Sequence, residues 1–443
     1  MDVGRRSLIA GSLGAAGLVA LAGCAPAAKR TTVADWPTDP GSEPATISWW
    51  SSSIASDTGG DLRPALIALF NKTYPHIKVS IVAAPADTDT SRTTLTTQIA
   101  AGSDSPDVVL GDIAWPGQFA ANKLAVPLKT LVPTDFWQQY PEGLRKAAEV
   151  GSDYYMFPVY IDESFVVYRK DLLAKHSLQV PNSWEELAST SKKLIAAGDV
   201  DYGFVYQGNV YEGMTCNSVE FVADAGGVLT NSAITRSEAT SSADKRAFEY
   251  MNSLIDQKVT PRAALTYIEQ SSLDAFTTGR AAFLRNWSYA YDTANSPSAS
   301  SVAGKVGIRS RPGFDGGPQG NSTIGGWGNY INPHTSHPAA ALAFAKWMAD
   351  EEAQQLIVRK GGAIPARAAS LTSADAVKAN RPQYRIAKDI TLVPRPTATK
   401  FYPKLSQAIY VNANSLAAGQ SAIAGGTARM SNQMDTALAG QAL

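Results

Sequence analysis

The sequence predicts an α/β protein folded as two lobes, and three observations carry that expectation. Its 443 residues exceed one ordinary domain and suffice to bury two cores. From Thr46 onward, strand-like and helix-like segments alternate, the pattern of a largely parallel sheet flanked by helices. The same rhythm returns after residue 160 without any repeat of solenoid length, which sets a repeat protein aside.

Thr46-Ile47-Ser48-Trp49-Trp50 opens the series as a strand. Leu62 to Tyr74 places Leu62, Leu66, Leu69 and Phe70 at helical spacing and stops at Pro75, so it predicts a helix. Ile77 to Val82 alternates as a strand, Thr93 to Ala101 reads as a helix, and Asp107 to Leu110 as a short buried strand. Later, Phe165 to Tyr168 is strand-like, and Ser183 with Glu186 three residues on signs a helix start. Lys245–Gln257, Leu273–Thr278, Ala339–Ala349 and Glu351–Arg359 predict helices, and Gly326–Ile331 a strand.

Composition narrows the partners. Lys plus Arg and Asp plus Glu each number 39, so the formal charge is zero and nothing favours a nucleic acid, which needs clustered cations. At the N-terminus, Arg5-Arg6 precedes an uncharged run from Ser7 to Ala22, the layout of an export signal too short to span a bilayer comfortably. Leu21-Ala22-Gly23-Cys24 resembles the bacterial lipobox, which implies diacylation of Cys24 and cleavage before it. Arg5-Arg6-Ser7-Leu8-Ile9 also loosely fits a twin-arginine signal, with the general secretion route as the alternative. Residues 1–24 are thus expected to be a signal and 25–45, rich in Ala, Thr, Pro, Asp and Gly, a flexible tether. Lipidation leaves Cys216 a lone thiol, read as a small core residue, and two cysteines exclude a disulfide scaffold or thiolate metal cluster.

Several blocks are similar to the sugar-binding proteins of ABC importers, most closely the trehalose/maltose-binding proteins. They are Asp107 to Phe119, Pro158 to Asp162, Tyr168 to Leu173, Gly203 to Gly208, Tyr211 to Gly213, Arg285 to Ala290, Ile324 to Trp327, Val393 to Pro396 and Phe401 to Ser406. Their collinear occurrence over nearly the whole mature chain is more specific than any one block. The resemblance implies a type II periplasmic-binding-protein fold, with the ligand in a cleft between hinged lobes. Lobe 1 would take residues 46–159 plus 301–358, and lobe 2 residues 160–300 plus 359–443. It further implies an exported monomer, lipid-anchored to the outer face of the cell membrane, that delivers an α-glucoside disaccharide of trehalose or maltose type to permease subunits, with no cofactor, metal or enzymatic activity of its own.

A sugar presents hydroxyls around a ring whose faces carry C–H groups, so carboxylates, guanidiniums and aromatic rings suit it. By carry-over, Asp112 and Asp162 would accept hydroxyl hydrogen bonds, while Arg92 and Arg395 would donate. Tyr160, Trp287, Tyr289 and Trp327 would wall the site, and Gly325 and Gly326 would let backbone N–H groups approach. An interlobe ion pair is the alternative for Arg395, and Tyr211 and Glu212 suit a helix start equally well. In one departure, Ser51 to Ser56 stand where the family places an acid, with Asp57 and Asp61 nearby.

The rival class is a secreted glycoside hydrolase, which needs two carboxyls flanking one bond. Asp162 and Glu163 are adjacent on an extended segment and point to opposite faces. Ser189-x-x-Lys192 and Ser242-x-x-Lys245 lack the partner motifs of an acylating serine, no Gly-x-Ser-x-Gly elbow is present, and the four histidines form no convincing metal set. A surface adhesin is the third class, and it has no need for these side chains at lobe edges.

Overall fold

A computed structural model describes residues 33–315 and 320–443. The signal segment, Cys24 and the first part of the tether lie outside the described residues. No described helix is long and apolar enough to cross a membrane.

Fourteen strands run through the described residues. The first five are β1 (Ala45–Ser51), β2 (Ile77–Ala83), β3 (Val108–Asp112) and the short hairpin β4 (Glu149–Val150) and β5 (Asp153–Tyr154). Next come β6 (Phe157–Asp162), β7 (Ser164–Arg169), β8 (Tyr202–Val205), β9 (Ala281–Trp287) and β10 (Val306–Arg309). The last four are β11 (Asn321–Thr323), β12 (Gly325–Ile331), β13 (Ile364–Pro365) and β14 (Thr391–Val393). A six-stranded sheet in the order β13-β6-β12-β3-β1-β2 forms the first lobe, and a four-stranded sheet in the order β10-β7-β9-β8 the second. β1 lies parallel to β2 and β3, as helical crossovers require, whereas β12 inserts antiparallel between β3 and β6. The architecture is the two-lobed one the sequence predicts.

Local chemistry explains several helix boundaries. Helix Arg63–Thr73 has proline in its first turn and ends before Pro75, and helix Trp184–Ala196 is capped by Ser183, whose hydroxyl accepts the Glu186 N–H. The helix expected from Thr93 begins instead at Thr88, because Asp87 accepts the Thr90 N–H at 2.7 Å and caps it a turn earlier.

The structure draws the lobes differently in three places. β6 runs through Asp162 in the first sheet, so the first crossing falls at Glu163 rather than at 160. β10 pairs antiparallel with β7, Val306 opposite Arg169, which keeps residues 306–309 in the second lobe. Ala363, Ile364, Ala376 and Tyr384 bury themselves in the first core with Ile161 and Ile357, so the segment after 358 stays with the first lobe. Leu405, Ile409, Leu416, Met430 and Met434 then belong to the second core.

The three crossings are cross-linked. β11 pairs in parallel with β14, joining the second crossing to the third. The Ser164 N–H donates to the Ser322 hydroxyl at 2.8 Å, joining the first crossing to the second. β11 is also fastened to the second lobe: Glu220 accepts from the Thr323 hydroxyl at 2.8 Å and N–H at 3.1 Å, and Asp224 accepts from Asn321 at 3.0 Å.

Candidate functional site

A cavity of about 380 Å³ lies between the lobes, where β3, β6 and β12 of the first sheet end opposite β9 of the second. Nine of the ten residues expected in the site line it: Asp112, Tyr160, Asp162, Trp287, Tyr289, Gly325, Gly326, Trp327 and Arg395. Arg92 is the exception. Its guanidinium is spent on Asp89 at 3.0 Å and Gln118 at 3.2 Å, and it is not among the lining side chains.

The aromatic walls come from both halves. β9 ends on Trp287, whose indole N–H faces Glu269 at 3.4 Å, and the Arg285 guanidinium stacks on its ring at 4.1 Å. Tyr289 opens the helix Tyr289–Asn295 immediately after it. From the first lobe, Tyr160 lies on β6, and half-buried Trp327 on β12 meets Trp115 edge-on. Burial pushes the Tyr160 and Tyr289 phenols well above the usual range, so both stay neutral hydrogen-bonding groups.

Among the described residues Arg395 is the only basic side chain lining the cavity, and it is already engaged. It donates to Asp112 at 2.6 and 3.2 Å and to Glu212 at 2.7 Å, binding a first-lobe carboxylate to a second-lobe one. The interlobe ion pair is thus what the structure shows for Arg395. Glu212 also accepts from the Ser406 hydroxyl at 2.6 Å and from the Tyr402 hydroxyl, and its N–H donates to Asp89 at 2.9 Å. Asp162 is freer. Among the described residues its one side-chain hydrogen-bond partner is the Ser288 hydroxyl at 3.2 Å, and burial, with Glu269 and Asp112 nearby, raises its carboxyl to about 7. It is therefore poised between acceptor and donor forms near neutral pH.

Gly325 and Gly326 line the cavity, yet their small size serves strand and ring packing. A Cβ on Gly325 would sit 2.8 Å from the Asp162 carbonyl and 3.0 Å from the Trp287 ring. Gly326 has φ +142°, and a Cβ there would meet the Tyr160 carbonyl oxygen at 2.6 Å. Gly326→Ala is expected to part β6 from β12 and lower the melting temperature by several degrees, readable by calorimetry.

Where the resemblance led us to expect an acid, Ser52 and Ser53 line the cavity. Neither neighbouring acid replaces it: Asp57 pairs with Arg381 at 3.1 Å and Asp61 with Arg63 at 2.8 Å. Glu269 and Cys216 line the cavity without having been expected there, and Glu212, left open between site and helix start, lines it too. Glu269 lies 18 positions before its indole partner, with no motif around it. Cys216 lines the cavity from the helix Glu212–Asp224, whose start gave Glu212 an equally good structural role.

This fold and cleft coincide with a sequence match to the bacterial extracellular solute-binding protein family over residues 55–355, well over half the chain. The chain belongs to that family. Maltose-bound MalE3 of T. maritima superposes on this solute-binding protein with a TM-score of 0.80 and 26% identity, covering 88% of this chain and 99% of that one. The GacH receptor of Streptomyces glaucescens, solved unliganded and with acarbose, gives 0.77 at 20% identity, covering 90% and 100%, a likeness of fold. Among curated relatives, a probable ABC transporter-binding protein of Deinococcus radiodurans is 28% identical over 62% of this chain and 66% of its own length, just under two thirds. A mannitol-binding protein of Pseudomonas aeruginosa is 23% identical over 72% and 74%.

Proposed function

We propose that this solute-binding protein captures a small neutral sugar, an α-glucoside disaccharide of maltose or trehalose type, and delivers it to the permease of an ABC importer. The observation that carries the reading is the convergence of Trp287, Tyr289, Tyr160, Trp327 and the carboxyl of Asp162 on one interlobe cavity. Rings cover the C–H faces of a pyranose while carboxyl and phenol groups meet its hydroxyls. The likeness to maltose-bound MalE3 supports the disaccharide, and the mannitol-binding relative makes a polyol the competing ligand. Export, a lipid anchor at Cys24 and a monomeric body complete the proposal, since an anchored carrier stays close to its permease.

Calorimetric titration of the body from residue 33 onward with maltose, trehalose and mannitol tests it. Binding without product supports the carrier, and release of glucose would identify a hydrolase instead. Asp162→Ala and Trp287→Ala are each expected to weaken binding by about tenfold or more, as loss of one buried contact does. Unchanged affinity in either variant removes that residue from the site.

A further inference from the structure

Outside the cavity, one edge of the cleft carries a second set of interlobe bonds. Arg381 sits on the first lobe, held there by Asp57 at 3.1 Å and the Arg359 carbonyl at 3.4 Å. Its other arm reaches Asp292 at 2.5 Å, on the second-lobe helix that follows Trp287. The same Asp292 oxygen accepts from Gln383 at 2.8 Å, so the first lobe presents two donors to one second-lobe carboxylate. Beside it, the Thr58 carbonyl accepts the Ser296 hydroxyl at 2.8 Å and that of Ser298 at 3.2 Å. Gly59 has φ +80°, and a Cβ there would lie 2.8 Å from the Ala299 side chain, so the lobes touch here with no room to spare.

We propose that Arg381 is an affinity-setting latch: a positioning residue that touches no ligand and holds the lobes shut through Asp292. The geometry has the required asymmetry. Arg381 is preorganised by its own lobe, so on closure it adds its bond to Asp292 without having to order the guanidinium at that moment. None of Arg381, Asp292 and Asp57 lines the cavity, so the latch acts on the population of the closed form rather than on sugar contacts. Asp57, the acid nearest the departure from the family pattern, thereby has a role in closure in place of ligand recognition.

Fluorescence stopped-flow with maltose, together with small-angle scattering of the sugar-free protein, tests the latch. Arg381→Ala is expected to speed maltose release by about tenfold with little change in association, and to enlarge the sugar-free particle. Asp292→Asn, from the other lobe, should do the same, and because Gln383 also donates to Asp292 the double variant should be no worse than Asp292→Asn alone. Arg381→Lys, which keeps the charge, should recover part of the wild-type rate. Additive effects, or release rates and dimensions equal to wild type in folded Arg381→Ala, would overturn it. If the wild type binds no maltose, the functional reading fails on its own, and scattering of the two variants still decides the latch.

Discussion

Replacing Arg311 with alanine is expected to cost the second lobe about 3–5 kcal/mol at neutral pH, because it leaves two buried carboxylates short of a cation. Arg311 is wholly buried and donates to Glu220 at 2.7 Å and to Asp224 at 2.5 Å, while Arg285 binds Glu220 from the other side at 2.5 Å. Burial alone would raise Glu220, but the Arg285 and Arg311 guanidiniums bring it down to about 2. Asp224 is raised by burial to about 6 despite Arg311. In the variant both carboxyls lose that counter-charge and titrate higher, so the deficit should shrink as pH falls and they take up protons. Urea unfolding at pH 5 and pH 7.5 reads both expectations. A cost below about 1 kcal/mol at both pH values would show that the lobe tolerates the unpaired acids.

Glu163→Gln is expected to act in the opposite direction, stabilising the protein in alkali. Glu163 is buried at the first crossing, its Oε2 has no hydrogen-bond partner among the described residues, and burial, with Asp162 next to it, raises its carboxyl to about 8. A group that holds its proton more tightly folded than unfolded stabilises the fold below its unfolded value of 4.5. That stability is lost as pH rises through 8. Glutamine has nothing to lose, so the variant should exceed wild type by about 3–5 kcal/mol at pH 9 and match it near pH 4. Thermal melts across that range suffice, and parallel pH profiles for the two proteins would contradict the account.

What could be read from the chain divides along the range of the interactions. The Ser183 cap and the stop at Pro75 are local signals, and the structure shows both. β10 has only Val306-Gly307-Ile308-Arg309 to announce it, and its place in the second lobe comes from pairing with β7, more than 130 residues earlier in the chain. The same limit applies in the cleft. Trp287 and Tyr289 sit in one motif, whereas the state of Arg395 depends on Asp112 and Glu212, 283 and 183 positions away. A motif marks which side chains stand at a cleft; whether one is already saturated is settled by distant partners.

The stitching of the three crossings has a mechanical consequence. Because β11 is riveted to the helix carrying Glu220 and Asp224, and also to β14 and Ser164, it travels with the second half as one stiff ribbon. Torsion between the lobes would then concentrate in the few bonds next to that ribbon, at Glu163, at Ile324-Gly325 and at Ile390-Thr391. A hinge built this way would swing about one axis and resist shear, so each closure would return the indole of Trp287 to the same seat against Gly325.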